Sequence, residues 1–349
     1  MTNKKILVVV CAYNEQDAIF NCLDSLKNSI ARYSLDNNFS VVCVDNSSID
    51  KTPEIASKFA KENKDFHYVK IEHCSLCVSR NTYKYFDGFD YVAYIDGDGY
   101  VAEGWAKKLV NIIDQNPEAK IISGHVFDLE SKSHNLIWDM YFDSELYGVD
   151  NYLIGANMVF SRNVLTKVDG FPSFFPIRGD ESSLLLRIRN LRQDVNHVFD
   201  KNLIAYNYFP SDLDTFLKTQ YTDGKRSYDI SQLSGTYRKT KLNAIVKTLS
   251  LVLLLSTPII TIVNPMLGLM SLLASIGPFA CRHRIYIKNV FGKISKPNTL
   301  RKIKYVSVIL LSRYLFDIGF LSRLFESQEV RKEMLDDTKN PVVLEKINE

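Results

Sequence analysis

The sequence predicts an α/β domain built on a mostly parallel sheet with helices on both faces. Three observations predict it. Short apolar runs and helix-spaced patterns alternate from residue 1 to about 125, the order in which strand–helix–strand units are laid down. The runs are continuously apolar, as strands covered on both faces are. Each run stops at polar or acidic residues, and ligands bind at strand carboxyl ends in open α/β sheets.

Ile6-Leu7-Val8-Val9-Val10 is the first run, ended by Asn14-Glu15. Ala18, Ile19, Cys22, Leu23 and Leu26 follow at helical spacing. Phe39 to Val44 is the second run and ends in Asp45-Asn46-Ser47-Ser48-Ile49-Asp50. Thr52-Pro53-Glu54 starts a helix, with Thr as N-cap and Pro in the first turn. Phe66 to Ile71 is the third run, and Val78 to Phe86 reads as helical. The fourth, Tyr91 to Ile95, leads straight into Asp96-Gly97-Asp98. A helix over Trp105–Ile113 and a strand over Lys120–Ser123 continue the pattern. Residues 126–150 lose the alternation and carry Trp138, Tyr141, Phe142 and Tyr147 among several acids, a mix suited to packing or to acceptor binding. Beyond them Ala156–Phe160 is strand-like and Arg162–Val168 helical. Gly170-Phe171-Pro172 breaks the chain, and Leu184, Leu185, Ile188 and Leu191 lie on a helix that begins at Asp180-Glu181.

A net charge of +3 over 349 residues is too small to argue for nucleic acid. Six cysteines include Cys11 and Cys43 in apolar runs, which read as core thiols. Cys74 and Cys77 form a lone C-x-x-C without the second pair that a zinc ribbon needs. The cysteine usage fits a reducing compartment. Ile6 to Ala12 is too short, and followed too soon by polar residues, to read as a signal peptide.

After about residue 224 the pattern changes. Leu249–Val263 and Met266–Cys281 are apolar runs joined by Asn264-Pro265, each slightly short of a full span. Lys225, Arg226, Arg238, Lys239, Lys241 and Lys247 precede them, and Arg282, Arg284, Lys288 and Lys293 follow. Cytoplasmic flanks of membrane segments are rich in such residues. A hairpin with both ends on the cytoplasmic side satisfies both flanks. Tyr305–Leu324, broken by Arg313, Asp317 and Arg323, reads as an interfacial amphipathic helix. The expected division is 1–230 as one α/β domain, in two halves that meet at about residue 125. A membrane-associated helical region follows over 231–325, and a charged, solvated tail over 326–349.

The chemistry-bearing stretch is Asp96-Gly97-Asp98. Two carboxylates after a buried strand can hold a hard divalent cation on phosphate oxygens, and Gly97 is expected to let the backbone turn so that both acids face one point. An EF-hand is excluded, because Tyr100 stands where a third oxygen ligand belongs. No G-x-G-x-x-G occurs, which disfavours the usual dinucleotide fold.

Five pieces occur in order. They are Cys11-Ala12-Tyr13-Asn14-Glu15, the stretch Val44 to Thr52 (V-D-N-S-S-I-D-K-T), Ser79-Arg80-Asn81, Asp96-Gly97-Asp98, and Gly179-Asp180-Glu181 leading to Leu184 and Arg187. Together they resemble the signatures of family 2 glycosyltransferases, inverting enzymes with the GT-A fold, over about residues 5–230. Gly170-Phe171 is similar to that family's G-G-F approach to the acidic pair.

The resemblance implies a nucleotide-sugar pocket at Ala12, Tyr13, Asn14, Glu15, Asp45, Asn46, Arg80, Asp96 and Gly97, with Asp45 accepting from the base ring and Arg80 adding positive charge at the diphosphate. It implies Mg²⁺ or Mn²⁺ on Asp98, the direct ligand, and Asp96, with Glu181 as general base and Asp180 second. Asn46 stands where the family has a second aspartate, so base recognition is expected to differ. The Q-x-x-R-W motif of processive synthases is absent, which favours transfer of one sugar. The expected partners are a nucleotide-diphosphate sugar, a glycan or lipid-linked acceptor and membrane lipid, with the catalytic domain on the cytoplasmic face of a bacterial inner membrane. A polyprenyl-phosphate transferase is the near alternative. It is disfavoured because a phosphate acceptor is already ionised and needs no base. A sugar nucleotidyltransferase would carry a glycine-rich basic loop after the first strand, and Ala12-Tyr13-Asn14-Glu15 is neither. A non-catalytic nucleotide-sugar-binding module would need no base.

Overall fold

A computed structural model describes residues 4–129, 153–172, 180–190, 195–208, 212–233, 237–275, 299–325 and 341–348. The aromatic segment 130–150, Arg178-Gly179 and the run beyond Ser275 to Cys281 lie outside them. The chain divides into two compact units. Residues 1–133, 150–209 and 329–349 form the first, and 134–149 with 210–328 the second.

The first unit is built on β1 (Ile6–Ala12), β2 (Phe39–Asp45), β3 (Phe66–Ile71), β4 (Tyr91–Asp96), β5 (Tyr100–Val101), β6 (Ile121–Asp128), β7 (Met158–Ser161), β8 (His197–Asn207) and β9 (Val343–Ile347). Among the described residues they form one sheet in the order β5-β8-β6-β7-β4-β1-β2-β3-β9. Strands β1–β4 are parallel throughout, and β7 and β9 join antiparallel. The chain winds β1, β2, β3 one way and then places β4 on the other side of β1. Strand order therefore reverses at β1, where an open sheet leaves a crevice at its carboxyl end. The register levels the strand ends: Ala12 lies beside Asp45 and Cys11 beside Asp96.

The expected apolar runs are buried on both faces. Val8, Val10, Val41, Ala93 and Ile95 share a core with Ile19, Leu23, Leu26, Trp105 and Leu109 from helices α1 (Ile19–Ala31) and α4 (Trp105–Gln115). Leu7, Val9, Val42, Val44 and Val92 are equally buried on the opposite face, where Tyr94, Phe160 and Phe171 pack edge to face. The 78–86 stretch is a short helix α3 (Leu76–Arg80) followed by a 3₁₀ turn over Asn81–Tyr85.

Two strands depart from the sequence expectation. Asp200-Lys201-Asn202 interrupts β8 and carries the register shift opposite Gly124/His125. That turn-like triplet hides a strand of 11 residues from pattern reading. Strand β9 lies in the tail expected to be charged and solvated. Its side chains are exposed or half-buried, but its backbone pairs with β3.

In the second unit, α7 (Leu213–Leu233) packs against α10 (Thr299–Ser322). A methyl on Gly224 would collide with the Phe316 carbonyl, and one on Gly319 with that of Tyr221, so both glycines admit a close backbone approach. Tyr228, Ala244 and Phe320 form a small core beside it. Arg323 pairs with Asp229 at 3.2 Å, and Tyr221 donates to Ser322 Oγ at 3.0 Å. Helix α7 lies within the second unit, which takes up the chain again at residue 210. Asn264 ends α8 (Tyr237–Val263) and caps the Met266 and Leu267 amides at 3.0 and 3.2 Å. Helix α9 (Pro265–Ser275) turns back on α8, with Ser271 donating to the Leu253 carbonyl at 3.2 Å and Gly268 against Thr261. Helix α8 is the one described helix long and apolar enough to cross a membrane.

Candidate functional site

The loops after β1 and β2 are knitted together by the polar residues of the second motif. Asn14 N–H donates to Ser48 Oγ at 2.9 Å, Glu15 N–H to Thr52 Oγ1 at 2.7 Å and Gln16 N–H to Asp50 Oδ2 at 3.1 Å. In return Ile49 N–H donates to Asn14 Oδ1 at 2.9 Å. Asn14 and Ser47 sit at φ +57° and +59°, a region in which a short polar residue is tolerated where a branched one is not. The serine, aspartate and threonine of the motif therefore hold the first loop in place. Ala12 is buried, and its carbonyl accepts from Asn46 N–H at 2.9 Å.

Asp45 is wholly buried and faces inward. Its Oδ1 accepts from Ser48 N–H at 3.0 Å and its Oδ2 from the Tyr68 hydroxyl at 2.9 Å. Burial, and then Asp45, raise the Tyr68 phenol, so it stays a donor. Asn46 is spent on the next loop: its amide donates to the Cys74 carbonyl at 2.9 Å and accepts from Cys74 N–H at 2.8 Å. An aspartate there could make only the second bond, which gives the departure from the family pattern a structural reason. Tyr13, 45% exposed, leans on His73 with ring centroids 4.8 Å apart, and His73 Nδ1 donates to the Asn46 carbonyl at 3.1 Å. Cys74 and Cys77 are free thiols.

Asp96 and Asp98 stand half-buried at the end of β4. Gly97 does not adopt a left-handed backbone. It is required for space instead, since a Cβ there would lie 2.9 Å from the Cys11 carbonyl and 3.1 Å from Ala12 Cβ. The expected turn is present, with Gly99 N–H donating to the Asp96 carbonyl at 3.1 Å, and close approach to β1 adds a second demand for glycine. Burial, then Asp96 and Glu15, push the Asp98 carboxyl up to about 7. Burial, then Asp96 and Asp50, push Glu15 up to about 7. Asn207, from the end of β8, donates to Asp96 Oδ2 at 3.4 Å and also bonds Asp98.

A buried arginine joins this pair to the late acids. Arg80 is 2% exposed. Its Nη2 lies 3.0 Å from Asp96 Oδ1, and its Nη1 is ion-paired with Asp180. The rings of Tyr94 and Phe171 lie 6.0 and 5.7 Å from its guanidinium carbon, within cation–π range. Burial works against the charge, but Asp96 and Glu181 outweigh it and raise the guanidinium further. Glu181 Oε1 accepts from Gly155 N–H at 2.9 Å. Gly155 lies so close that a methyl there would strike both Arg80 and Glu181. Asp180 and Glu181 open helix α6 (Asp180–Asn190), where acids are favoured by the helix dipole. The turn before it is held by Asn81, whose amide exchanges two 2.8 Å bonds with the Phe171 backbone, and by Arg187, which donates to the Val168 and Gly170 carbonyls.

Residues 7–168 match the family model of Glycosyl transferase family 2. That segment, a little under half of the chain, is a family 2 glycosyltransferase domain. Glycosyltransferase GlyA of Streptococcus pneumoniae is 25% identical over 162 residues, 45% of this chain and 22% of that protein. The match thus spans less than a quarter of that relative. Among solved structures, mannosyltransferase PcManGT from Pyrobaculum calidifontis, in complex with GDP-Man and Mn²⁺, has a TM-score of 0.56 at 16% identity, covering 92% of this chain and 87% of that one. S. aureus TarS 1–349 in complex with UDP-GlcNAc has a TM-score of 0.50 at 14% identity, covering 94% and 92%. At such identities these likenesses show the fold, which is of the GT-A type.

In the first unit, which holds this family 2 domain, the predicted residues fall into three groups. Asp96, Asp180 and Glu181 gather around Arg80. Asp98 and Glu15 lie near enough to Asp96 for its charge to raise both carboxyls. Tyr13 stands at the rim with His73. Asp45, Ala12 and Gly97 are buried parts of the wall, and Asn14 and Asn46 are spent within the loops. Arg80, expected to add charge at a diphosphate, is an internal ion-pair bridge. Asn207, Gly155 and the rim role of His73 were not legible. Asn207 follows an unrecognised strand, and Gly155 carries no motif of its own.

Among the described residues no three acidic, histidine or cysteine side chains converge as a ready-made metal cage. Burial, and then the neighbouring Asp96, nevertheless push both the Glu15 and Asp98 carboxyls up to about 7, a crowding of acids that a cation would relieve. That fits Mg²⁺ or Mn²⁺ held by one or two carboxylates together with phosphate oxygens and water.

Proposed function

We propose that this family 2 domain transfers one sugar, with inversion, from a nucleotide-diphosphate sugar to a hydroxyl of a glycan or lipid-linked acceptor. The observation that carries the reading is the buried Arg80 bridge, which joins the strand-end acids to Asp180 and Glu181 in one site. Asp98 is the direct metal ligand in this reading, because Asp96 already accepts from Arg80 and Asn207. Mg²⁺ or Mn²⁺ held by Asp98 would supply positive charge to offset that of the departing diphosphate. Glu181 takes the acceptor hydroxyl's proton. That oxygen forms the new bond to the anomeric carbon, and the old C–O bond breaks with its electron pair leaving on the diphosphate. Asp180 is disfavoured as base, because its carboxylate is buried against Arg80. A phosphate acceptor would leave the positioned Glu181 without a role. Support for the donor class comes from the neighbours crystallised with GDP-Man and UDP-GlcNAc.

The test is calorimetric titration of the full chain with UDP- and GDP-sugars. Binding is expected to need Mn²⁺ or Mg²⁺ and to fall at least tenfold in Asp98→Asn. Protons compete for Glu15 and Asp98, whose carboxyls titrate near 7. Metal-dependent binding should therefore be tighter at pH 8 than at pH 6. Affinity unchanged by chelator and by Asp98→Asn would sink the metal reading.

We also propose that the helical unit associates with membrane lipid, with the catalytic unit on the cytoplasmic face of a bacterial inner membrane. Leu255, Ile259, Ile262, Val263, Met266 and Met270 are each more than 60% exposed. Contiguous apolar surface of this kind marks a lipid or protein contact, and the basic flanks favour lipid. The full chain should sediment with membranes and resist a high-salt wash. Recovery in the supernatant without detergent would overturn this.

A further inference from the structure

Strand β9 covers the outer edge of β3, and its contacts reach the rim of the proposed donor pocket. Tyr68 lies beside Ile347, Lys70 beside Glu345 and Ile71 beside Val343. Past the end of β3, Glu72 N–H donates to the Val342 carbonyl at 2.8 Å. The next two residues are His73 and Cys74. His73 carries Tyr13 and bonds the Asn46 backbone, and Cys74 is bonded twice to the Asn46 amide. Further bonds pin the strand at both ends. Tyr85 Oη donates to the Pro341 carbonyl at 2.6 Å. Asn348, at φ +61°, donates to the Phe66 carbonyl at 2.9 Å and to that of Ala60. Lys346 stands 5.0 Å over the Phe86 ring.

An edge strand needs a cover to prevent stray pairing, but a cover alone need not extend beyond β3 into the 72–74 turn. We infer that β9 is a positioning element of the donor site, fixing the turn whose His73 and Cys74 set Tyr13 and Asn46 at the nucleotide rim. This rests on the donor reading proposed above. Ordering the turn in advance spares a ligand the cost of ordering it on binding. Loss of β9 should therefore act on donor affinity and leave the Glu181 chemistry alone.

Two variants of the full chain test this: deletion of residues 341–349, and Asn348→Ala, which loosens the strand without removing it. Amide hydrogen exchange over 66–74 is expected to speed up at least tenfold in the deletion and less in Asn348→Ala. Dissociation constants for UDP and GDP with Mn²⁺ should rise about tenfold for whichever nucleotide the parent binds. The donor KM should rise in step, with kcat within about twofold. A synthetic peptide of residues 339–349 should restore affinity to the deletion variant. Unchanged exchange at 72–74 overturns the inference. So does faster exchange with nucleotide affinity intact, which would leave β9 as an edge cover only. Failure of the parent itself to bind either nucleotide overturns the donor reading and this inference together. Parental binding that survives both variants overturns this inference alone.

Discussion

Glu181→Gln is expected to lower kcat by about 10²–10⁴-fold, the usual worth of a positioned general base, while donor affinity and thermal stability stay near parental values. Glutamine has the same shape, and its amide oxygen can still accept the Gly155 N–H that holds Glu181 at 2.9 Å. What it loses is the capacity to take a proton. Asp180→Asn should behave differently. Asp180 is 3% exposed and ion-paired with Arg80, so removing its charge weakens a buried pair. The melting temperature should fall, and any loss of rate should come with it. Measuring kcat, donor Kd and melting temperature on both variants separates the two roles. Full activity in Glu181→Gln would show that the base is another group. A stability loss in Glu181→Gln matching that in Asp180→Asn would make both acids parts of the Arg80 pair.

The sheet was legible because its strands are continuously apolar and each ends at a polar motif. The acids were legible because Asp96, Asp98, Asp180 and Glu181 sit at a strand end and a helix start, where ligand chemistry concentrates. The division of labour among the motif residues was not. Ser48, Asp50 and Thr52 look like ligands in a sequence but bind backbone amides of the first loop. Asp45 looks like a base reader and is sealed against Tyr68. Such partners lie 20 to 40 positions away, and nothing local to Asp45 encodes Tyr68. Strand β8 was missed for a local reason: Asp200-Lys201-Asn202 has the composition of a turn and makes one, with Asn202 N–H donating to Asp200 Oδ1 at 2.8 Å. Strand β9 was missed because pairing at a sheet edge asks little of side chains, and Val343-Leu344-Glu345-Lys346-Ile347 sits in a charged stretch.

Arg80→Met is expected to cost about 3–5 kcal/mol in the stability of the first unit, the range for breaking a buried ion pair by removing one partner. The side chain is 2% exposed and joins two carboxylates, one of them buried. Methionine fills much of the space between Tyr94 and Phe171, so packing is largely kept and the loss is electrostatic. Arg80→Lys should fall between the two, since an ammonium keeps the charge but lacks the planar fork that spans Asp96 and Asp180. Activity should drop in both, because Asp96 and the start of α6 lose their common anchor. The decisive variant is Arg80→Met with Asp180→Leu. An apolar pair in place of a buried ionic one is often neutral or stabilising, so the double variant should recover part of the melting temperature lost by Arg80→Met. It should not recover the rate, since Glu181 would still lack the charge that joins it to the strand-end acids. Recovery of both would make Arg80 a packing residue with no hold on the site. Recovery of stability alone would show that the fold can do without this buried charge and the chemistry cannot.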